Sequence, residues 1–303
     1  LNDGGALGWS KTIKDLIKSY QNRFLLKLVN WGDADMINLY NNNHFIKPVA
    51  ANKNPCGKLY NYHMNKWNCN YAIPFSSLHT YTREDSVKMN EYTTPLNLHY
   101  EKFDETNGNL LPAFIRWDFE KNEYTEINPE ENHNQTFSAE EFGDNWVDEL
   151  NKEDKRSLSE YFLKFYQLKK KFGFINFRVG NKDFNLKLSD RNEGIKMEAP
   201  RNSLIFSVEN NIFDDILIGN FAKFELINVP SLYPDFSPYV AKYGDNGLSS
   251  SEKDLKNYFN YYRLNSADYW MDFLKLKSEE ILRTSLKKNK TIYSIAKAIQ
   301  KKL

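Results

Sequence analysis

Residues 24–33 read FLLKLVNWGD, an apolar run that ends in polar residues and a glycine. The length of the run and its leucine and valine content are typical of a buried strand. A second such segment, residues 71–75 (YAIPF), follows an irregular helical stretch and leads into residues 76–79 (SSLH). Alternation of strand and helix predicts an α/β layer with a mostly parallel sheet. In such sheets ligands bind beyond the carboxyl ends of the strands, where both segments carry polar residues.

The segments around these two strands carry further periodic signals. Ser10 is a candidate N-cap for a short helix through Tyr20, and the spacing of Met36, Ile37 and Tyr40 predicts another helix. Residues 113–117 and 124–127 indicate a hairpin.

The second half of the chain has a different pattern. The apolar spacing predicts one helix over 152–172, a hairpin over 174–188 and helices in the last quarter. We therefore predict two domains: a partial α/β domain over 1–150, and an α+β module over 151–303 that ends in helices.

Composition excludes several classes of protein. The 303 residues contain 41 lysines and arginines against 40 acids, a balance that argues against a nucleic-acid-binding protein. Two cysteines are too few for a disulfide scaffold or a four-cysteine metal site. No apolar run reaches the roughly 18–20 residues of a membrane span.

The first residues do not form a signal peptide, and we predict a cytoplasmic protein. The absence of an initiator methionine suggests a piece of a longer chain.

Three features leave alternatives open. Cys56 and Cys69 are more often two buried thiols than a redox pair. Residues 118–154 hold 13 acids and two lysines, a pattern more typical of a solvated loop than of a cation site. The tail 281–303 has seven basic residues, no acid and a helical apolar stripe. Such a tail usually docks on its own domain, although it could also lie on an anionic membrane or a partner.

Candidate metal ligands are few. The five histidines form no HxH, HxxxH or HExxH motif, so no local zinc motif exists. His79 is the most informative of them, because it follows a predicted strand at its carboxyl end, where a lone histidine is either a functional residue or a structural one. Asp3 would sit at the end of a strand that begins before residue 1, where a carboxylate either binds metal or caps a helix.

The order of these segments resembles the second half of a metallo-β-lactamase-fold protein. The most similar branch contains CMP-N-acetylneuraminate hydroxylase-like and ascorbate-phosphate lactonase-like proteins. The matching residues are Ile73-Pro74-Phe75 and Met89-Asn90, with weaker similarity over 212–221 and 239–247. The resemblance implies the second half of an αββα layer, followed by the α+β module.

The resemblance also implies a metal-dependent hydrolase or oxidoreductase-like protein with zinc or iron. Asp3 would match the carboxylate ligand of the second half, and His79 would loosely match a histidine ligand. The metal would lower the pKa of a bound water. The His-x-His-x-Asp-His motif of the first half is absent here, and two ligands are too few for a catalytic site. The chain is therefore expected to be inactive without an amino-terminal half, and no catalytic residue is assigned.

The substrate that the resemblance implies is a small polar or anionic molecule, such as a sugar derivative. Candidate substrate-binding residues at the strand ends are Asn30, Trp31, Asp33, Arg83 and Asn90. For residues 30–33 the alternative is a strand-to-helix turn in which Gly32 relieves crowding and Asp33 caps the helix.

A second hypothesis is a non-enzymatic carbohydrate- or protein-binding module, since 19 tyrosines and six tryptophans offer aromatic surface. The enzyme hypothesis requires Asp3 and His79 to converge, whereas the binding hypothesis requires an exposed aromatic patch. A third hypothesis, membrane attachment through the tail, requires Ile292, Ile295 and Ile299 to be exposed.

Overall fold

A computed structural model describes residues 8–29, 38–76, 78–127, 135–271, 273–274 and 277–278. Its strands are, in chain order, β1 Phe24–Lys27, β2 Leu39–Asn41, β3 His44–Phe45, β4 Tyr71–Pro74, β5 Asn109–Leu110, β6 Ile115–Asp118, β7 Glu123–Glu126, β8 Phe174–Val179, β9 Lys182–Lys187, β10 Gly194–Glu198 and β11 Lys223–Ile227. Its α-helices are α1 Ser10–Ile17, α2 Gly57–Trp67, α3 Leu96–Tyr100, α4 Lys152–Leu163, α5 Tyr166–Lys171, α6 Arg201–Glu209, α7 Asp214–Gly219 and α8 Glu252–Asn265. The fold is mixed α/β with open sheets, which confirms the predicted class.

A small parallel sheet contains the two strands that the apolar runs predicted. Its order is β1-β4-β5, and Phe24 pairs with Tyr71, which in turn pairs with Asn109. One face of this sheet packs on α2, where buried side chains from the strands meet those of the helix: Leu25, Val29, Cys56, Tyr60, Met64, Trp67, Cys69 and Ala72. Both cysteines are free and buried, as expected for two packed thiols.

A second, six-stranded sheet has the order β3-β2-β11-β10-β8-β9. The predicted hairpin over 174–188 is confirmed as β8 and β9. Strand β2 pairs in parallel with β11, so the sheet takes strands from both sides of residue 150. The division into two domains stays a prediction.

The main core covers this larger sheet and consists mostly of aromatic side chains. Phe162 is fully buried, and its ring centroid lies 5.3 Å from those of Phe177 and Phe213. The predicted helix 152–172 is interrupted, because Phe165 leaves the helical conformation between α4 and α5 with ψ at 99°. The apolar spacing continues through this break, which is why the sequence indicated one helix.

Two other predictions are corrected. Tyr40 lies in β2 rather than in a helix, since residues 39–41 pair with β11. Residues 36 and 37 lie outside the described residues. The Asp-Asn-Gly sequence at the end of residues 243–247 predicts a tight turn over this stretch, but a π-helix runs over Pro238–Asp245 and the turn follows it.

The tail 281–303 lies outside the described residues, as do Ile292, Ile295 and Ile299. In the part of the chain that the structure covers, no helix combines the length and the apolar character of a membrane span.

The π-helix holds a buried carboxylate, Asp245. Its Oδ2 accepts hydrogen bonds from the Tyr161 hydroxyl at 2.7 Å and from the Phe213 N–H at 3.0 Å. Burial raises the pKa of this carboxyl above 3.8, its ordinary value, although both hydrogen bonds act in the opposite direction. The folded protein therefore holds this proton more tightly than the unfolded chain does.

Asp245→Asn is expected to remove a pH dependence of stability. The protonated carboxyl stabilises the fold fully below about pH 3.8, and this contribution is lost as pH rises through the raised pKa. As pH rises, the free energy of unfolding of the parent should therefore fall by about 1.4 kcal/mol for each unit by which the pKa is raised. The Asn variant should not show this fall. Urea unfolding over a pH series measures this, with the half-exposed Asp183→Asn as control. Parallel curves for parent and Asp245→Asn would contradict it.

Candidate functional site

The structure describes only part of the predicted site. Asp3, Asn30, Trp31 and Asp33 lie outside the described residues, so their convergence with His79 stays a prediction. Among the described residues, no group of three or more His, Cys, Asp or Glu side chains could hold a metal ion. The described residues therefore do not form a metal site by themselves.

His79 and Asn90 lie in the segment after β4 and contact the same residue, Tyr81. The rings of His79 and Tyr81 meet edge to face at 5.0 Å. The Asn90 amide bonds the Tyr81 backbone twice, because its Oδ1 accepts from the N–H at 2.7 Å and its Nδ2 donates to the carbonyl at 2.8 Å. The Asn90 side chain thus stabilises the backbone conformation of this segment.

Arg83 is engaged in a partly buried ionic network. Its guanidinium donates to Asp144 at 2.8 Å and to Asp85 at 3.1 Å, and it lies 4.1 Å from the ring centroid of Phe221. Ser203 also donates to Asp144, at 2.6 Å. The network connects the segment after β4 to α6, and the side chain of Arg83 is only 12% exposed.

A pocket of about 580 Å³ lies where strands β4 and β5 begin. Tyr71 and Asn109, the paired first residues of these strands, contribute to its wall. The other lining residues come from α3, the segment between α3 and β5, the end of β5 and the hairpin β6–β7: Tyr100, Phe103, Glu105, Leu110, Leu111, Trp117, Asn122, Glu123 and Tyr124. The predicted ligand position was the opposite, carboxyl end of the strands.

Aromatic rings form a continuous wall from the sheet to the hairpin. Phe24 stacks on Tyr71 with 4.9 Å between ring centroids, and Tyr71 lies 4.8 Å from Trp117. Trp117 pairs across the hairpin with Tyr124, whose ring is nearly parallel at 6.3 Å. Tyr124 is 42% exposed, so its side chain is accessible to a ligand.

Local hydrogen bonds fix the two sides of the pocket. In the hairpin turn, Asp118 Oδ1 accepts from the N–H groups of residues 120 and 121. Asn22 donates to the Asn122 side chain at 2.9 Å, which ties the turn to the residue two before β1. On the other side, Asn61 of α2 bonds the backbone of Asp104 twice, at 2.8 and 2.9 Å, next to Glu105.

The ionisable groups of the pocket wall are acidic or phenolic. Glu105 and Glu123 are exposed carboxylates, and none of the described lining residues is lysine, arginine or histidine. Burial raises the pKa of Tyr100, and the negative charge of nearby Glu126 raises it further. The electrostatic potential of the pocket is therefore expected to be negative.

The sequence did contain a signal for this pocket. Trp117 and Tyr124 occupy the predicted hairpin, and acidic residues follow in the segment 118–154. The sequence did not show that Tyr71 and Tyr100 join them, because these residues come from elements whose contact depends on the tertiary fold.

Searches against protein-family models, curated protein sequences and solved structures found no match for this chain.

Proposed function

We propose that the chain binds a small saccharide in the aromatic pocket and does so without a chemical step. The observation that carries this proposal is the combination of rings, amides and carboxylates in one pocket. A sugar presents apolar C–H faces, which pack on aromatic rings, and hydroxyl groups, which hydrogen-bond to amides and carboxylates. The volume of about 580 Å³ lies within the range of about 300–1,000 Å³ of small-molecule sites.

Trp117 also carries a hydrogen-bond donor, which lies inside the wall rather than at its surface. Its indole Nε1 is buried and has no hydrogen-bond partner among the described residues. Leaving such a donor unpaired costs about 1–3 kcal/mol. Because this nitrogen has almost no accessible surface, a sugar oxygen reaches it only if the wall shifts on binding, and the proposal does not rest on it.

Tyr124→Ala is expected to weaken saccharide binding about tenfold, because it removes about 1–1.5 kcal/mol of ring contact from the exposed part of the wall. Calorimetric titration with the disaccharides of glucose, glucosamine and N-acetylglucosamine measures the affinities. Tyr261→Ala is the matched control, since Tyr261 is 63% exposed and does not line the pocket. Failure of the parent to bind any of the three sugars, or equal affinities of parent and Tyr124→Ala, would contradict the proposal.

A second proposal retains the resemblance to metallo-β-lactamase-fold proteins, with the αββα layering that it implies and a metal-dependent hydrolase activity. Its support is the parallel pairing of β1 and β4, which brings the segments after both strands to one end of the sheet. His79 lies after β4, but any metal site would need further ligands from outside the described residues, such as Asp3 or an amino-terminal half. We therefore derive no reaction step from it.

On this second proposal, the purified chain is expected to contain zinc or iron that the double variant Asp3→Ala, His79→Ala has lost. Elemental analysis measures the metal content of both proteins. His44→Ala is the control, since His44 is an exposed histidine in β3. Equal metal contents in parent and double variant would contradict a site at Asp3 and His79.

A further inference from the structure

The pocket wall places two carboxylates beside aromatic rings without a basic side chain to neutralise them. Glu105 comes from the short helical turn after α3, and Glu123 is the first residue of β7. Both line the pocket, and they come from two different elements. Neither carboxylate has a salt-bridge partner among the described residues.

The two carboxylates would distinguish between sugars of similar shape but different charge. An anionic sugar would be repelled by both glutamates, whereas a protonated amine would be attracted by them and could donate charge-assisted hydrogen bonds. Aromatic faces also attract cations, most strongly that of tryptophan and then those of tyrosine and phenylalanine. Trp117 and Tyr124 provide such faces in this wall.

We propose that the ligand of the pocket is an amino sugar whose protonated amine lies between Glu105 and Glu123. This inference rests on the proposed saccharide binding and specifies its substrate class. It agrees with the small polar, sugar-derived substrate that the resemblance implies, but it makes the charge of the ligand positive rather than negative.

Three disaccharides test the amine, because those of glucose, N-acetylglucosamine and glucosamine, taken with the same linkage, differ only in the group at C2 of each ring: a hydroxyl, an acetamide or an amine. Titrations are run at about pH 6, below the pKa of about 8 of an α-amino group. The glucosamine disaccharide is expected to bind about tenfold more tightly than the other two, and only its affinity should fall with added salt. Equal affinities for all three would overturn the amine assignment while the saccharide proposal stands. Absence of binding by all three would overturn both.

Variants test the position of the amine. Glu105→Gln and Glu123→Gln are each expected to weaken the glucosamine disaccharide about three- to tenfold more than the glucose disaccharide, because glutamine keeps a hydrogen-bonding oxygen but removes the charge. Glu120→Gln is the matched control, because Glu120 is an exposed acid of the same hairpin that does not line the pocket. If a Gln variant loses affinity for the glucose and glucosamine disaccharides to the same extent, the effect is structural and the assignment is overturned. The assignment is also overturned if both variants bind the glucosamine disaccharide as tightly as the parent does.

Discussion

Arg83→Met is expected to lower the free energy of unfolding by about 3–5 kcal/mol, the range for removing one partner of a buried ion pair. The change leaves the Asp144 carboxylate, whose side chain is 1% exposed, without its cation. It also removes the hydrogen bond to Asp85 and the contact with the Phe221 ring. Methionine keeps most of the apolar volume of the arginine side chain, so the measured loss reports the charge rather than a cavity.

Chemical denaturation of parent and variant gives this difference. Arg156→Met is the control, because Arg156 is 65% exposed on α4 and its ion-pair partners among the described residues are exposed acids; its change should stay within about 1 kcal/mol. An Arg83→Met protein as stable as the parent would contradict a structural role for Arg83. Such a result would favour the role in substrate binding that the sequence indicated.

Gly57→Ala is expected to destabilise the protein by about 2–3 kcal/mol, although alanine normally favours a helix. A Cβ on Gly57 would overlap the backbone nitrogen of Phe103 and lie 2.5 Å from the carbonyl oxygen of Glu101. The Gly57 N–H also donates to that oxygen at 3.0 Å. The segment that must move carries Phe103 and leads to Glu105, so saccharide affinity should fall together with stability.

Thermal or urea unfolding and the disaccharide titration are the two measurements for Gly57→Ala. Lys58→Ala is the control, since it introduces alanine at the next, exposed position of α2. Stability equal to or above that of the parent would show that the segment 101–103 adapts without cost and would contradict the close packing at Gly57.

The sequence predicted those helices and strands whose apolar pattern lies within one short segment. The apolar runs at β1 and β4, the alternation of β8 and β9 and the spacing in α8 each lie within one short segment, and the structure contains all of these elements. Strand β2 was missed because it has three half-buried residues and forms by pairing with β11, about 180 residues later. No local pattern encodes such a pairing.

The candidate site was predictable only in its chemistry. Aromatic abundance suggested a carbohydrate-binding surface, and the hairpin containing Trp117 and Tyr124 was expected. The pocket, however, requires Tyr71 to reach Trp117 across the face of the small sheet. The rule that ligands bind at the carboxyl ends of strands pointed instead to Arg83 and Asn90. In the structure, the side chains of these two residues make hydrogen bonds within the protein.

Fluorine NMR of the fluorotryptophan-labelled chain tests the central claim most directly. The six tryptophans give separate reporters, and Trp117→Phe assigns the signal from the pocket. We predict that the glucosamine disaccharide shifts the Trp117 signal in a saturable way, while the exposed Trp270 signal stays in place. A Trp117 signal that does not move at any concentration of the glucose, N-acetylglucosamine or glucosamine disaccharide would contradict saccharide binding in this pocket.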